Sequence, residues 1–151
     1  MKGAFKRLQY FFLLLKIIIE GVKMGERYLK DDDFLVSQTD ERGIILFANE
    51  DFCEVAGYRL DELIGKPHNI VRHSDMPRAA FKDLWETVKN NRIWNGYVKN
   101  AVKGGSDYYW VYATVYPRYD SHSKKTSYIS CRRKASPKEI ADAEKLYKTL
   151  K

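Results

Sequence analysis

The segment HNIVRHSDMP, residues 68–77, brings two histidines, an arginine and an aspartate together. Such groups can bind a metal, transfer protons or hold an anionic ligand. The three histidines of the chain, His68, His73 and His122, do not have the spacing of zinc ligands, and no cysteine lies among them. We therefore do not predict a metal site.

The chain lacks the sequence signatures of common enzyme classes. It contains no glycine-rich phosphate loop, no G-x-S-x-G segment and no paired-carboxylate motif. We therefore do not expect the protein to be an enzyme.

The net charge of +7 is concentrated at the N-terminus. Residues 1–30 contain seven basic residues against two acidic ones, a net charge of +5, which leaves only +2 for residues 31–151. In this larger part the basic residues are interspersed with acidic ones and do not form the stripe that is typical of nucleic-acid-binding proteins. We therefore expect no nucleic-acid partner.

Length and composition indicate one domain with a terminal extension. The 151 residues suffice for a single core, and the 44% hydrophobic content is ordinary for a globular protein. The 14% aromatic content favours a sheet, or a cavity lined for a planar ligand. The two cysteines, Cys53 and Cys131, form no disulfide framework, which fits a reducing cytoplasm.

Residues 8–19, LQYFFLLLKIII, are strongly apolar but are interrupted by Lys16. A membrane-spanning helix needs about 20 apolar residues, and no signal-peptide cleavage site follows. An anchor that lies in the membrane interface stays open. We favour the hypothesis that residues 1–23 are not translated in the cell. The residues just before Met24, EGVK, can be encoded by GAG GGA GTG AAA, which resembles a ribosome-binding site ahead of a start codon.

Two short β-type runs at residues 34–40 and 44–49 are joined by Gly43, which can adopt a positive φ, and they predict a hairpin. Asn49 then acts as the N-cap of a short helix that ends at Gly57. Two further short helices are predicted before the next long element.

A longer helix is predicted within residues 77–91. Its apolar residues recur at helical spacing, and Pro77 suits its first turn. The apolar stripe consists of Phe81, Leu84, Trp85 and Val88.

Three longer β-type runs, residues 94–102, 108–117 and 126–134, are separated by polar turns and predict an antiparallel meander. Ser136 and Glu139 then form a capping box at the start of an amphipathic helix. We expect this helix to dock on its own domain or on a partner.

The order of elements predicts an α+β fold. It comprises a five-stranded antiparallel sheet, short helices packed on one face and a C-terminal exit helix. The chain divides into an apolar and basic extension at residues 1–30, a globular domain at residues 31–135 and an amphipathic helix at residues 136–151.

Several stretches resemble the FAD-binding PAS domain of the aerotaxis and energy-taxis transducers. They include GYRLDELIGKPHNIVRHSDMPRAAFKDLWETVKN, WNGYVKN and YYWVYATVYP, and the similarity covers about residues 34–150. The resemblance implies a PAS fold and a noncovalently bound FAD whose redox state is reported to a chemotaxis receptor. It further implies a separate cytoplasmic subunit at the inner face of the membrane. Its partner there would be a membrane chemoreceptor with HAMP and methyl-accepting signalling domains.

The resemblance also implies which residues bind FAD. RHSDMP matches the RHPDMP segment of the family, so Arg72, His73 and Asp75 are implied to keep FAD bound, with Arg72 pairing with the pyrophosphate. Asn100 is implied to hydrogen-bond near the flavin O4 and N5 atoms and to turn over on reduction. The full implied set is Asn49, Arg72, His73, Asp75, Phe81, Trp85, Trp94 and Asn100.

Other interpretations stay open. A cofactor-free PAS module for dimerisation or docking would fill the same cavity with side chains, and the sequence leaves the oligomeric state open, a homodimer included. A haem-binding gas sensor would use His73, which lies just before the long helix. A photoreactive flavin–cysteine adduct is disfavoured, because the segment ahead of that helix has no cysteine.

Overall fold

A computed structural model of the chain describes residues 25–150 and, before them, only residues 8, 9, 11, 12, 14 and 15. The hypotheses on residues 1–23 therefore lie almost entirely outside the described residues. In the part of the chain that is described, no helix is long and apolar enough to cross a membrane.

The described chain alternates short strands and helices. The strands are β1 Glu26–Arg27, β2 Leu35–Thr39, β3 Ile45–Ala48, β4 Trp94–Ala101, β5 Tyr108–Asp120 and β6 Lys125–Lys134. The helices are α1 Glu50–Ala56, α2 Leu60–Leu63, α3 Arg78–Lys89 and α4 Pro137–Lys148, and a 3₁₀ turn spans His68–Val71.

The five predicted strands form one antiparallel sheet in the order β3–β2–β6–β5–β4. The α+β class is therefore confirmed, but the strand count was too low by one. The short strand β1 runs parallel to β5, with Glu26 opposite Tyr108, beyond the residues at which β6 pairs. Two residues are too few to show the alternation that identifies a strand in a sequence.

The two faces of the sheet carry different helices. Tyr109 and Val111 of β5 belong to the main core under α1 and α3, whereas Trp110 between them packs against Ile140 and Ala143 of α4. Because successive side chains of a strand point to opposite faces, α4 must lie on the outer face of the sheet. The predicted exit helix thus docks on its own domain.

The predicted hairpin forms between β2 and β3, and Gly43 in its turn has a φ of 81°. A Cβ atom at Gly43 would lie 3.2 Å from Cζ2 of Trp85. Both the backbone conformation and the close approach therefore favour glycine. This contact fixes the hairpin turn against α3.

The caps predicted for α1 and α4 are present. The Asn49 side-chain oxygen accepts hydrogen bonds from the backbone N–H groups of Phe52, at 3.1 Å, and Val36, at 2.9 Å. Asn49 therefore both caps α1 and ties it to β2. At the other end of the domain, the capping box of Ser136 and Glu139 starts α4.

Candidate functional site

A cavity of about 260 Å³ lies between α3, the 3₁₀ turn and the inner face of the sheet. Its apolar wall is formed by Pro67, Phe81, Leu84, Trp85, Val98, Ala113, Val115 and Tyr128, together with Gly43. Its polar wall is formed by Ser37, Thr39, Arg42, His68, Asn69, Arg72, Asn100, Ser130 and Arg132. The mixture of flat apolar groups and a few polar ones is typical of a site for a small organic ligand.

Strand alternation explains why polar groups reach the cavity. Ser130 and Arg132 lie two residues apart on β6, and Ser37 and Thr39 lie two residues apart on β2, so each pair shares the inner face. All four residues are buried. An inner sheet face is normally apolar, so this polar set calls for a function.

Arg132 is a buried cation without an acidic partner. Its side chain is only 4% exposed, and Nη2 donates to Ser37 Oγ at 2.9 Å and to His68 Nε2 at 2.8 Å. No carboxylate of the described residues forms a salt bridge with it, and its Nη1 atom has no hydrogen-bond partner. Burial lowers the pKa of Arg132 to about 10. A charge that is buried without compensation is costly, so a ligand with acceptor atoms would stabilise it.

His68 is held neutral beside this arginine. An arginine only donates hydrogen bonds, so His68 Nε2 must accept, and the proton of the imidazole lies on Nδ1. Burial, and then the charge of Arg132, lower the pKa of His68 to about 3. We call Arg132, His68 and Ser37 the arginine corner of the cavity.

Two further buried groups on the cavity wall lack hydrogen-bond partners. They are the side-chain nitrogen of Asn100 and the hydroxyl of Ser130. Buried polar groups in proteins are nearly always paired, so unpaired ones demand an explanation. Together with Arg132 they can bind a planar ligand that carries carbonyl or ring-nitrogen acceptors along its edge.

Four of the eight predicted site residues meet at the cavity: Arg72, Phe81, Trp85 and Asn100. The guanidinium of Arg72 stacks over the Phe81 ring at 3.9 Å, and the Trp85 ring meets that of Tyr128 edge-on at 5.4 Å. Arg72 also forms a β-bridge with Asn100. The bridge therefore holds the half-buried guanidinium of Arg72 and the buried amide of Asn100 next to each other at the cavity.

His73 and Asp75 lie outside the cavity wall, which differs from the predicted cluster. The reason is that the chain turns onto β4 directly after Arg72, with the His73 N–H donating to the Lys99 carbonyl at 3.4 Å. The His73 ring packs against Tyr108, and Asp75 pairs with Lys99 Nζ at 2.9 Å. In this geometry the two residues anchor the loop that carries Arg72, and direct contact with FAD stays a prediction for them.

Trp94 and Asn49 also lie away from the cavity wall. The Trp94 indole N–H donates to Asp83 of α3 at 2.8 Å, and its ring covers Gly96 so closely that a Cβ atom there would clash with the ring. Trp94 therefore fastens α3 to β4. Asn49 is engaged as the cap of α1.

The loop anchor is testable by a double-mutant cycle on Lys99 and Asp75. Lys99 is only 11% exposed, so we expect Lys99→Met and Asp75→Asn each to lower the free energy of unfolding by about 1 kcal/mol. The double variant should cost little more than either single one. Urea unfolding provides the measurement. Lys82→Met, which breaks the exposed pair of Lys82 with Glu86, is the control and should change stability by less than about 0.5 kcal/mol. Additive effects of the two main substitutions would contradict the anchor.

Sequence reasoning missed the arginine corner and Ser130. The sequence indicates His68 only as one of three histidines that lack the spacing of zinc ligands. The available signal was the alternation in SYISCRRK, which places Ser130 and Arg132 on the same face as Tyr128. Polar residues at two successive inward positions of a strand need hydrogen-bond partners that an apolar core does not supply, so they indicate a lined cavity.

Comparisons with known proteins identify the fold. The family model described as the PAS fold matches residues 45–132. The aerotaxis receptor of Escherichia coli (strain K12) is 49% identical over 122 residues, which are 81% of this chain and 24% of that protein. The nitrogen fixation regulatory protein of Klebsiella pneumoniae is 28% identical over 101 residues, 67% of this chain and 20% of that protein. The chain thus spans a quarter or less of the length of these relatives.

Among solved structures, a light-oxygen-voltage domain whose mechanism was studied with a flavin analogue superposes with a TM-score of 0.65. The superposition covers 78% of this chain and 88% of the light-oxygen-voltage domain chain, and the two are 17% identical in sequence. At this identity the likeness concerns the fold alone.

Proposed function

The chain belongs to the PAS-fold family, as a sensor domain of the aerotaxis-receptor type, and on that premise we propose that it binds FAD and signals the redox state of this flavin to a membrane chemoreceptor. The observation that carries the proposal is a set of three buried polar atoms on the cavity wall that have no hydrogen-bond partner. They are Nη1 of Arg132, the side-chain nitrogen of Asn100 and the hydroxyl of Ser130. We propose further that the chain reports on redox state and is not an enzyme.

The cavity suits the isoalloxazine ring of a flavin. This ring is flat, carries an apolar end, and has carbonyl and nitrogen acceptors along its pyrimidine edge. Phe81, Trp85 and Tyr128 supply apolar and aromatic surface for such a ring, while Arg132 and Asn100 supply donors for its polar edge. The orphaned donors and the chemistry of the ring therefore match.

The size of the cavity bears on how a dinucleotide would bind. Pockets that enclose small ligands measure about 300–1,000 Å³, so the 260 Å³ cavity holds a ring system but not a whole dinucleotide. The rest of FAD would lie at the opening of the cavity. Arg72 is half-buried there, stacked on Phe81, and forms no salt bridge among the described residues. It is suited to the pyrophosphate because guanidinium groups bind phosphate oxygens in pairs.

Asn100 is the residue that we propose responds first. A bound flavin would supply reversible redox chemistry that changes the donor and acceptor pattern near its N5 atom. The carboxamide of Asn100 has both a donor and an acceptor end, so it can match either pattern by turning over. Because Asn100 is 3% exposed, water does not compete for these bonds.

The strand β4 connects this residue to the outer face of the domain. Tyr97, three residues before Asn100, accepts a hydrogen bond at its carbonyl from the Tyr147 hydroxyl of α4 at 2.5 Å, and its own hydroxyl bonds Glu139 at 3.1 Å. A small change in β4 therefore changes how α4 packs on the sheet. The domain then has two states that differ in this packing, and a ligand shifts their populations if it interacts differently with the two.

The partner follows from the relatives and belongs to the proposal. The aerotaxis receptor matches this chain along 24% of its own length. We propose a membrane chemoreceptor with HAMP and methyl-accepting domains as the signalling partner of this chain. It would contact the chain on the outer sheet face and α4, at the cytoplasmic side of the membrane.

An absorption spectrum of the purified protein, before and after dithionite, tests the proposal first. We expect the near-ultraviolet and blue bands of an oxidised flavin, which bleach on reduction, and release of FAD on heating. A Soret band would point to haem instead. A colourless protein that takes up no added FAD would leave a cofactor-free docking or dimerisation module, and the proposal would fail.

A further inference from the structure

Asn100 has a fully buried neighbour in Tyr109. Tyr109 of β5 lies directly opposite Asn100 of β4 in the antiparallel register, and both face the inner side of the sheet. Directly opposed residues of this kind have Cβ atoms about 4.5–5.5 Å apart. Tyr109 is 0% exposed and lies behind Asn100, since Asn100 lines the cavity and Tyr109 is not among its lining residues.

Both side chains carry an unsatisfied polar group. The Asn100 side-chain nitrogen and the Tyr109 hydroxyl each lack a hydrogen-bond partner in the structure. Burial raises the pKa of Tyr109 to about 12, and the charge of Arg132 and then the Asn100 amide oppose that rise. The phenol therefore keeps its proton, and its oxygen can both donate and accept a hydrogen bond.

We propose that the Tyr109 hydroxyl is the inner partner of the Asn100 amide and allows that amide to present either end to the ligand in the cavity. This role rests on the proposed flavin function. When the amide directs its nitrogen at the ligand, the Tyr109 hydroxyl donates to the amide oxygen. When the amide turns over, the same hydroxyl accepts from the amide nitrogen. In either state the amide and the hydroxyl keep one hydrogen bond with each other.

The alternative residues show why a tyrosine is needed. An apolar neighbour would leave one end of the amide unpaired in both orientations, and a group that only donates would hold the amide in one orientation. With a hydroxyl as neighbour, the amide keeps an inner hydrogen bond in both orientations, so the free-energy difference between them depends mainly on the hydrogen bond with the ligand. The amide then responds to the redox state of the ligand and not to a fixed preference of the protein.

Redox-difference infrared spectroscopy on the full chain with FAD, with and without ring-labelled tyrosine, tests this role. We expect a label-sensitive tyrosine band in the oxidised-minus-reduced spectrum, because the hydroxyl changes from donor to acceptor. The part of the band that comes from Tyr109 should be lost in Tyr109→Phe, which keeps the ring, and in Asn100→Ala. Tyr112→Phe is the matched control and should keep it, since Tyr112 packs beside Tyr97 on the outer face at 5.0 Å.

The outcomes separate this inference from the proposed function. A reducible flavin without any tyrosine band in the unsubstituted protein overturns the role of Tyr109, whatever the variants do. A tyrosine signal that is the same in Tyr109→Phe as in the unsubstituted protein overturns it as well. A protein that binds no flavin overturns the proposed function and this inference together.

Discussion

Replacing Arg132 with methionine is expected to weaken FAD binding about 10- to 150-fold and, at the same time, to stabilise the protein without FAD. A hydrogen bond from a charged group to a ligand contributes about 1.5–3 kcal/mol, and each 1.4 kcal/mol corresponds to about tenfold in affinity. The ligand-free protein carries the desolvation cost of a cation that no carboxylate offsets. Apolar replacement of buried ionic groups is often neutral or stabilises proteins by about 1–4 kcal/mol, and a cation without a carboxylate partner belongs at the stabilising end.

The neighbours of Arg132 tolerate this substitution. Ser37 Oγ lies 3.0 Å from His68 Nε2, so without the arginine the serine hydroxyl donates to the histidine and neither group is left unpaired. Methionine also retains most of the apolar stem that packs against the core. The two effects of opposite sign distinguish a binding residue from a structural one, because loss of a structural residue would reduce stability and affinity together.

The adjacent arginine supplies the control. Arg133 lies on the outer face of the sheet, is 51% exposed, and pairs with Glu139 at 3.3 Å. Arg133→Met should leave FAD affinity unchanged and alter stability by less than about 1 kcal/mol. Titration with FAD and urea unfolding of the FAD-free protein provide the two measurements. An Arg132→Met protein with full affinity, or with reduced stability in the absence of FAD, would refute the assigned role.

The fold was predictable where the signals are local. The Gly43 turn, the Asn49 cap, and the capping box at Ser136 each depend on a few consecutive residues whose conformational preferences are known, and the structure contains all three. The short strand β1 was missed because its only signal is its partner. Glu26 becomes a strand residue by pairing with Tyr108, far away in the chain.

The site was predictable only in part, for the same physical reason. Arg72, Phe81 and Trp85 lie within 14 consecutive residues, and the resemblance to the family indicates all three. The arginine corner instead joins residues that are 95 and 64 positions apart along the chain. Their meeting is set by the register of β2 against β6, which no local pattern specifies. The direction of the chain after Arg72 was likewise decided by pairing with β4, which took His73 and Asp75 away from the cavity.

The neutral His68 leads to the second large effect, a loss of stability in mild acid. In the folded protein burial and the charge of Arg132 hold the pKa of His68 near 3, against 6.5 for an ordinary histidine. Between these pH values the unfolded chain binds a proton at this position that the folded chain does not bind. The free energy of unfolding therefore falls as the pH falls, by about 1.4 kcal/mol per pH unit for one proton. From pH 6.5 to pH 5 the expected loss is about 2 kcal/mol.

His68→Gln isolates this contribution. A glutamine side chain offers Arg132 an oxygen acceptor but does not titrate, so the variant should lose less stability between pH 6.5 and pH 5, by about 2 kcal/mol. The window from pH 6.5 to pH 5 lies above the range in which carboxylates ordinarily titrate. The pKa of Glu139 is lowered to about 2, so this carboxylate begins to affect stability only below the window. His122→Gln, at an exposed position of the β5–β6 turn, should keep the full pH dependence. Urea unfolding across the window measures all three proteins, and equal slopes for the wild type and His68→Gln would show that His68 is protonated in the folded state.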